Sequence, residues 1–181
     1  MEAPGQDVSL DDMLVAMGSQ TAMGMVFQIG MEADVDDLQN LCQVNTRFRN
    51  LCQNPDFWVA KFYREYGFSP REIYQPRDEL RGYKKLVLGQ ADNFVISFEN
   101  CHVRVDRQDA DVARRRAGGI CPALLLLVQY GFLVNHDHVA VNGGGLDNVD
   151  HYDRTGPPLS YRLLLFLVRD MINVGGRIIV Y

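Results

Sequence analysis

The chain has 181 residues, a formal net charge of −5 and a pI near 5.3. That acidic balance argues against nucleic acid as a partner, which needs a basic footprint. Apolar residues make up 47% and charged residues 23%, which excludes a disordered or membrane-embedded chain, and the length can bury a core in one domain or two small ones.

Residues 1–8 read as a short disordered lead-in, and the start MEAPGQDVSLDD lacks the basic residues and apolar run of a secretory signal. Ser9 is placed to cap a first helix with Leu10, Met13, Leu14 and Met17 on one face, closed by Gly18. Met23, Met25, Val26, Phe27 and Ile29 suggest a second short helix that stops near Gly30. The methionines of this region suit flexible core filling or an adaptable binding face.

From Asp34 to Gly67 the side chains repeat a helical logic. Leu38, Leu41 and Cys42, then Phe48, Leu51 and Cys52, share the spacing i, i+3, i+4, and Trp58, Phe62 and Tyr66 follow at steps of four. Asp34 is an N-cap, Asn45 can stop one helix and cap the next, and Asn54-Pro55 opens a third that ends at Gly67. Three short helices, each apolar on one side, must fold against one another. Ser69 to Glu72 has capping-box spacing, and Arg77–Leu88 reads as a helix ended by Gly89.

Beyond residue 90 the pattern changes. Phe94–Phe98 reads as a buried strand, Cys101–Val105 as a strand with one wet face, and Glu99-Asn100 as the turn between them. Asp109–Arg116 reads as a short polar helix or loop. The segments 124–141 and 164–181 resemble each other at an offset of 40, each a buried helix, a turn and a strand. The stretch between them, 141–158, is rich in turn-formers and reads as a loop. The expected organisation is a helical module over 1–75 followed by an α+β domain over 76–181 with a mostly antiparallel or mixed sheet.

None of Cys42, Cys52, Cys101 and Cys121 forms a C-x-x-C pair, so neither a zinc ribbon nor a thioredoxin motif is present. Two of them lie on apolar stripes, where a thiol packs as a small hydrophobe. The apolar runs Ala123–Val128 and Leu163–Val168 are far shorter than the roughly 20 residues that span a bilayer. The reading is a soluble intracellular protein, cytoplasmic or nuclear, with no membrane partner.

The stretch 22–67 resembles an F-box. The matches are Val26 and Ile29, Asp37-Leu38 with Leu41, Arg47-Phe48, and Trp58 with Phe62 and Gly67, while the family's Leu-Pro pair is replaced by Ala22-Met23. NLCQVNTRFRNLCQNPDFW is similar to F-box-like segments encoded by large DNA viruses of protists, which implies a host cell or virion location. The resemblance implies docking on a Skp-type adaptor of a cullin-type ubiquitin ligase through Met25, Val26, Ile29, Leu38 and Leu41. The remainder of the chain would then hold an unknown protein target. The alternative is a structural or virion-associated protein that uses these helices for packing and self-associates.

No catalytic constellation is visible, and neither an enzyme activity nor a cofactor is expected. Gly143-Gly144-Gly145 lacks the Lys-Ser/Thr of a phosphate loop, and Arg114-Arg115-Arg116 lies among Asp106, Asp109 and Asp111, whose charges cancel much of its field. His136, His138 and His151, with nearby aspartates, are the weak candidates for a metal. A His-x-His in a polar loop without a helical frame reads as solvated, so no metal site is expected.

Overall fold

The computed structural model of the chain describes residues 19–114, 119–142 and 145–179, with side chains described outside 133–148. The readings made for residues 1–18, 115–118, 143–144 and 180–181 fall outside the described residues. The rest divides into two compact units: 19–68 with Pro76–Leu88, and Ser69–Gln75 with 89–179.

The first unit is helical: α1 (Ser19–Glu32), α2 (Val35–Val44), α3 (Thr46–Cys52), α4 (Pro55–Tyr66) and α5 (Glu79–Val87). Its caps are the ones the sequence names. Asp34 accepts from the Asp37 amide at 2.8 Å, and Asn45 closes α2 while accepting from the Arg47 and Phe48 amides at 2.9 and 3.2 Å. Asn54 caps α4 ahead of Pro55, and Gly67 ends it with φ +82°, a left-handed turn that suits glycine. Leu38, Phe48, Leu51, Cys52, Phe57, Trp58 and Phe62 form the core. Each such side chain taken from water is worth about 1.5–3 kcal/mol.

Two expectations change here. The helix expected to stop near Gly30 runs through Gly24 and Gly30 to Glu32. A Cβ on Gly30 would stand 2.9 Å from Leu51 Cδ2 and 3.2 Å from Phe57, so this glycine serves a close helix crossing, not a stop. The expected boundary after residue 75 also shifts. Tyr83, Leu86 and Val87 make a buried stripe on α5, and Lys84 lies over the Trp58 ring at 5.6 Å, so α5 belongs to the first unit. The capped turn Pro70–Glu72 belongs to the second.

The second unit is α+β. Strands β1 (Phe94–Ser97), β2 (Cys101–Val105), β3 (Asp109–Arg114), β4 (Phe132–Asn142), β5 (Gly145–Arg154) and β6 (Arg177–Ile178) form a sheet in the order β4-β5-β3-β2-β1-β6, with antiparallel neighbours. Helices α6 (Leu124–Gln129) and α7 (Tyr161–Asn173) complete it. Ile96, Val103, Val105, Ala110, Val112, Phe132 and Tyr152 are buried on one side of the sheet, with Leu127 of α6 and Leu164, Leu165, Leu167, Val168 and Met171 of α7. The other side carries His102, Arg104, Asp109, Asp111, His151 and Asp153. Among the described residues no helix is long and apolar enough to cross a membrane.

The sheet overturns two readings. Asp109–Arg114 is a central strand, not a helix or loop, because Ala110 and Val112 alternate inward against outward aspartates. Residues 145–154 are a strand, not a loop. β5 is paired on both sides, so its backbone groups are satisfied by neighbours whatever its turn-rich composition prefers. The cysteines are corrected too: Cys42 is bonded to Cys52 and Cys101 to Cys121, with Cα separations of 6.1 and 5.8 Å, within the range a disulfide bridges. They are cross-links here, not free thiols.

Candidate functional site

Two features stand out, one in each unit. The first is a groove of about 860 Å³ between α1 and α2, lined by Met25, Ile29, Ala33 and Leu41 with Gln28, Glu32, Asp37 and Asn40 among its polar residues. It exists because the two helices meet at a short turn and diverge. That turn is held by Lys61 of α4, whose Nζ donates to the carbonyls of Met31 at 3.0 Å and Ala33 at 2.6 Å and pairs with Glu65 at 3.1 Å. Arg64 pairs with Glu32 alongside it.

The five residues assigned to adaptor docking separate into two groups. Met25, Ile29 and Leu41 line the groove and are half-buried. Val26 and Leu38 are 0% exposed. These two cannot be presented to a partner without opening the module; they face inward at the positions where α1 and α2 meet the other helices. The periodicity showed an apolar stripe but not its division into an inner and an outer edge.

The second feature lies on the polar side of the sheet, where the register sets Asp109 opposite Asp153 and Asp111 opposite His151. His151 Nε2 is 2.7 Å from Asp153 and 3.8 Å from Asp109, while Nδ1 contacts Asp111, which is paired with Arg104 of β2. The Asp111 hydrogen bond and the charges of Asp111 and Asp153 raise the His151 pKa above the usual histidine range, against a smaller pull from burial. Burial raises Asp109, helped by the Asp106 carboxyl hydrogen-bonded to it and by the charges of Asp106 and Asp111. Burial also pushes Asp106 upward, but the Asp109 and Gln108 amides it accepts from outweigh that and hold it below the normal range. The site is thus one imidazole held among three carboxylates.

Of the histidines singled out in the sequence, His151 is the one whose side chain is described. His136 stands opposite His151 in the β4–β5 ladder and His138 opposite Val149; their side chains lie outside the described residues. Asp109 and Asp111 escaped the sequence reading of a metal set because β3 was not seen as a strand, whereas Asp153 stood beside His151 in it. The alternation Asp-Ala-Asp-Val-Ala was the available signal. No protein-family model, no curated protein and no solved structure matches the chain.

Proposed function

We propose that the protein is a non-catalytic interaction adaptor of F-box-like type. In this reading the α1–α2 groove docks on a Skp-type adaptor of a cullin-type ubiquitin ligase, and the sheet unit supplies the surface that takes a protein target. The observation that carries it is the groove itself: Met25, Ile29 and Leu41 remain accessible on a frame whose Phe48, Trp58 and Phe62 are fully buried. An apolar edge open to solvent beside a rigid core is what a helical docking module needs. The absent Leu-Pro pair leaves Met25 and Ile29 to supply the α1 side of the contact.

The test is co-purification with the Skp-type adaptor. Wild type is expected to retain it, and an Ile29→Asp/Leu41→Asp variant to lose it while keeping its helical circular dichroism. Equal recovery of both, at any level, removes the adaptor reading.

A second reading, a structural or virion-associated protein that uses these helices for packing, is favoured by the paired cysteines. Disulfides persist in oxidising surroundings and are rare in the cytosol, yet all four cysteines are bonded. This reading expects self-association in size-exclusion chromatography and recovery of the chain in purified particles.

A further inference from the structure

The helical unit holds a small cavity that neither reading of function uses. It measures about 260 Å³, and the Cys42–Cys52 bridge lines it together with Arg49, Trp58 and Lys84. We propose that this cavity is a thiol–disulfide exchange site, in which a small carboxylate-bearing thiol attacks Sγ of Cys42 and opens the bridge. The inference is independent of both readings of function, since it needs only the bridge and the groups around it.

Access separates the two bridges of the chain. Exchange requires a thiolate to reach one sulfur, so its rate follows exposure. Cys42 is half-buried, and Gln43, Arg49 and Gln53 at the rim of the cavity are exposed. Cys101 and Cys121 are each only 1% exposed. Cys52 is itself buried, which leaves Cys42 as the sulfur that a reagent from solvent meets.

Charge selects the reagent. The residues lining the cavity include two cations, Arg49 and Lys84, and no carboxylate. Arg49 Nη2 donates to the Gln43 carbonyl at 2.8 Å, next to Cys42 in the chain, and Lys84 Nζ lies 5.6 Å from the centre of the Trp58 ring. The Trp58 indole N–H donates in turn to the Cys52 carbonyl at 2.9 Å. Cys42 and Cys52 occupy the last turns of α2 and α3, where the helix dipole opposes a thiolate. Stabilising the incoming and the departing sulfur charge therefore falls to Arg49 and Lys84. Partly exposed, electropositive surroundings are those in which cysteine sulfur reacts.

In the first step the reagent thiolate bonds to Cys42 Sγ and the Cys42–Cys52 bond breaks. Its electron pair leaves on Cys52, which takes from water the proton that the reagent thiol gave up. A second reagent thiolate then displaces Cys42 from the mixed disulfide. The bridge gains two electrons and two protons, and two reagent thiols become one disulfide.

The experiment treats the full oxidised chain, under native conditions, with mercaptopropionate, mercaptoethanol or cysteamine, which beyond their sulfur are anionic, neutral and cationic. Each rate is divided by that of the same reagent on the uncharged hydroxyethyl disulfide, which cancels intrinsic reactivity. N-ethylmaleimide stops the reaction, and peptide mapping locates the opened bridge. Cys42–Cys52 should open before Cys101–Cys121, with the reagent trapped on Cys42 and the maleimide on Cys52. Mercaptopropionate should outpace cysteamine about tenfold at low salt, and the ratio should shrink at about 1 M salt, where the screening length is about 3 Å. Arg49→Gln/Lys84→Gln should bring the ratio close to one, whereas Arg49→Lys/Lys84→Arg should keep it; circular dichroism verifies that both are folded. The salt dependence of wild type tests the same point without any variant. Equal opening of the two bridges, the reagent trapped on Cys52, a wild-type ratio near one, or a ratio unchanged by the glutamines would each overturn the proposal.

Discussion

Lys61 Nζ stands 2.6 Å from the carbonyl oxygen of Ala33, although Lys61 is only 3% exposed. The same ammonium reaches the Met31 carbonyl, and Glu65 one turn along α4 balances its charge. An α-helix ends with carbonyls that have no partner within it, and a cation there also meets the negative end of the helix dipole. Lys61 therefore closes α1 from outside and fixes the angle at which α2 leaves. The groove between α1 and α2 depends on a residue that does not line it.

Lys61→Met keeps the length of the side chain and removes the charge. It removes the donor of the Met31 and Ala33 carbonyls and one of the partners of Glu65, so a loss of about 2–4 kcal/mol is expected. Urea unfolding measures it. A variant as stable as wild type would show that water satisfies the Met31 and Ala33 carbonyls equally well.

Two buried glycines should respond differently to the same change. At Gly176 a Cβ would lie 2.5 Å from Ile96 Cγ2, 2.8 Å from the Met171 carbonyl oxygen and 2.9 Å from Phe98. One of these neighbours is backbone, so α7 or β1 must shift. Gly176→Ala should cost about 1–3 kcal/mol by overpacking. At Gly30 the nearest atom is the tip of the Leu51 side chain, and alanine gains about 1 kcal/mol of helix propensity in return. Gly30→Ala should therefore be the milder change. Thermal unfolding of the two variants ranks them, and the reverse order would refute the account.

The helical unit was legible because its signals are local. Asn45 and Asn54-Pro55 act within three residues of themselves, and a stripe such as Phe48, Leu51 and Cys52 needs no knowledge of what it packs against. The sheet unit was legible only where strands bury aliphatic residues, as Ile96 and Val103 do. β3 and β5 are strands by virtue of their neighbours. On the inward side of β5 the described residues are Asp150, Tyr152 and Arg154. Asp150 is paired with Arg114 at 2.8 Å, and Arg154 lies over the Phe132 ring at 5.5 Å. No hydropathy pattern marks such a strand. The β3 members of the His151 cluster went unseen for the same reason, since cross-strand register is what joins Asp109 to Asp153 and Asp111 to His151.

His151 makes the protein's stability fall on the alkaline side. Its pKa is raised by the Asp111 hydrogen bond first and then by the charges of Asp111 and Asp153. The groups around it are Asp109 and Asp111 on β3, Asp153 on its own strand, and Arg104 acting through Asp111. A raised histidine stabilises the fold fully below its unfolded value of about 6.5, and the contribution disappears as pH rises through the folded value. Wild type should lose stability over that window relative to His151→Gln. An imidazole NMR titration should place the His151 midpoint above the unperturbed one. A midpoint at or below the ordinary value would remove the ion-paired description.

Tyr130 gives a second, independent alkaline transition. Its hydroxyl donates to Asp170 at 3.0 Å, and burial followed by that hydrogen bond and the Asp170 charge pushes its pKa up to about 12. The stabilisation is complete below pH 10, the normal tyrosine value, and is lost between there and the folded pKa. Tyr130→Phe should cost about 1 kcal/mol at neutral pH, a typical value for one hydrogen bond. It should also delete the latest component of the ultraviolet phenolate titration. A wild-type titration without a late component would contradict the contact.

The cysteine pairs tie the stability of the fold to its redox surroundings. Cys42–Cys52 joins α2 to α3 across 10 residues, and Cys101–Cys121 joins β2 to the segment before α6 across 20. Closing loops of this size restricts the unfolded chain and is worth about 2–4 kcal/mol per bridge. Cys42→Ser and Cys101→Ser should each lower stability by that amount in oxidised protein. The differences from wild type should vanish once reductant has opened all the bridges. Thiol labelling under denaturing conditions, without reductant, should find no reactive cysteine in wild type. Full labelling would mean that the thiols are free and pack as small hydrophobes, removing the observation that favours a structural role. No labelling, with stability that depends on reductant, would set the adaptor reading against the compartment it requires, because a cytosolic ligase component works where such bridges are kept reduced.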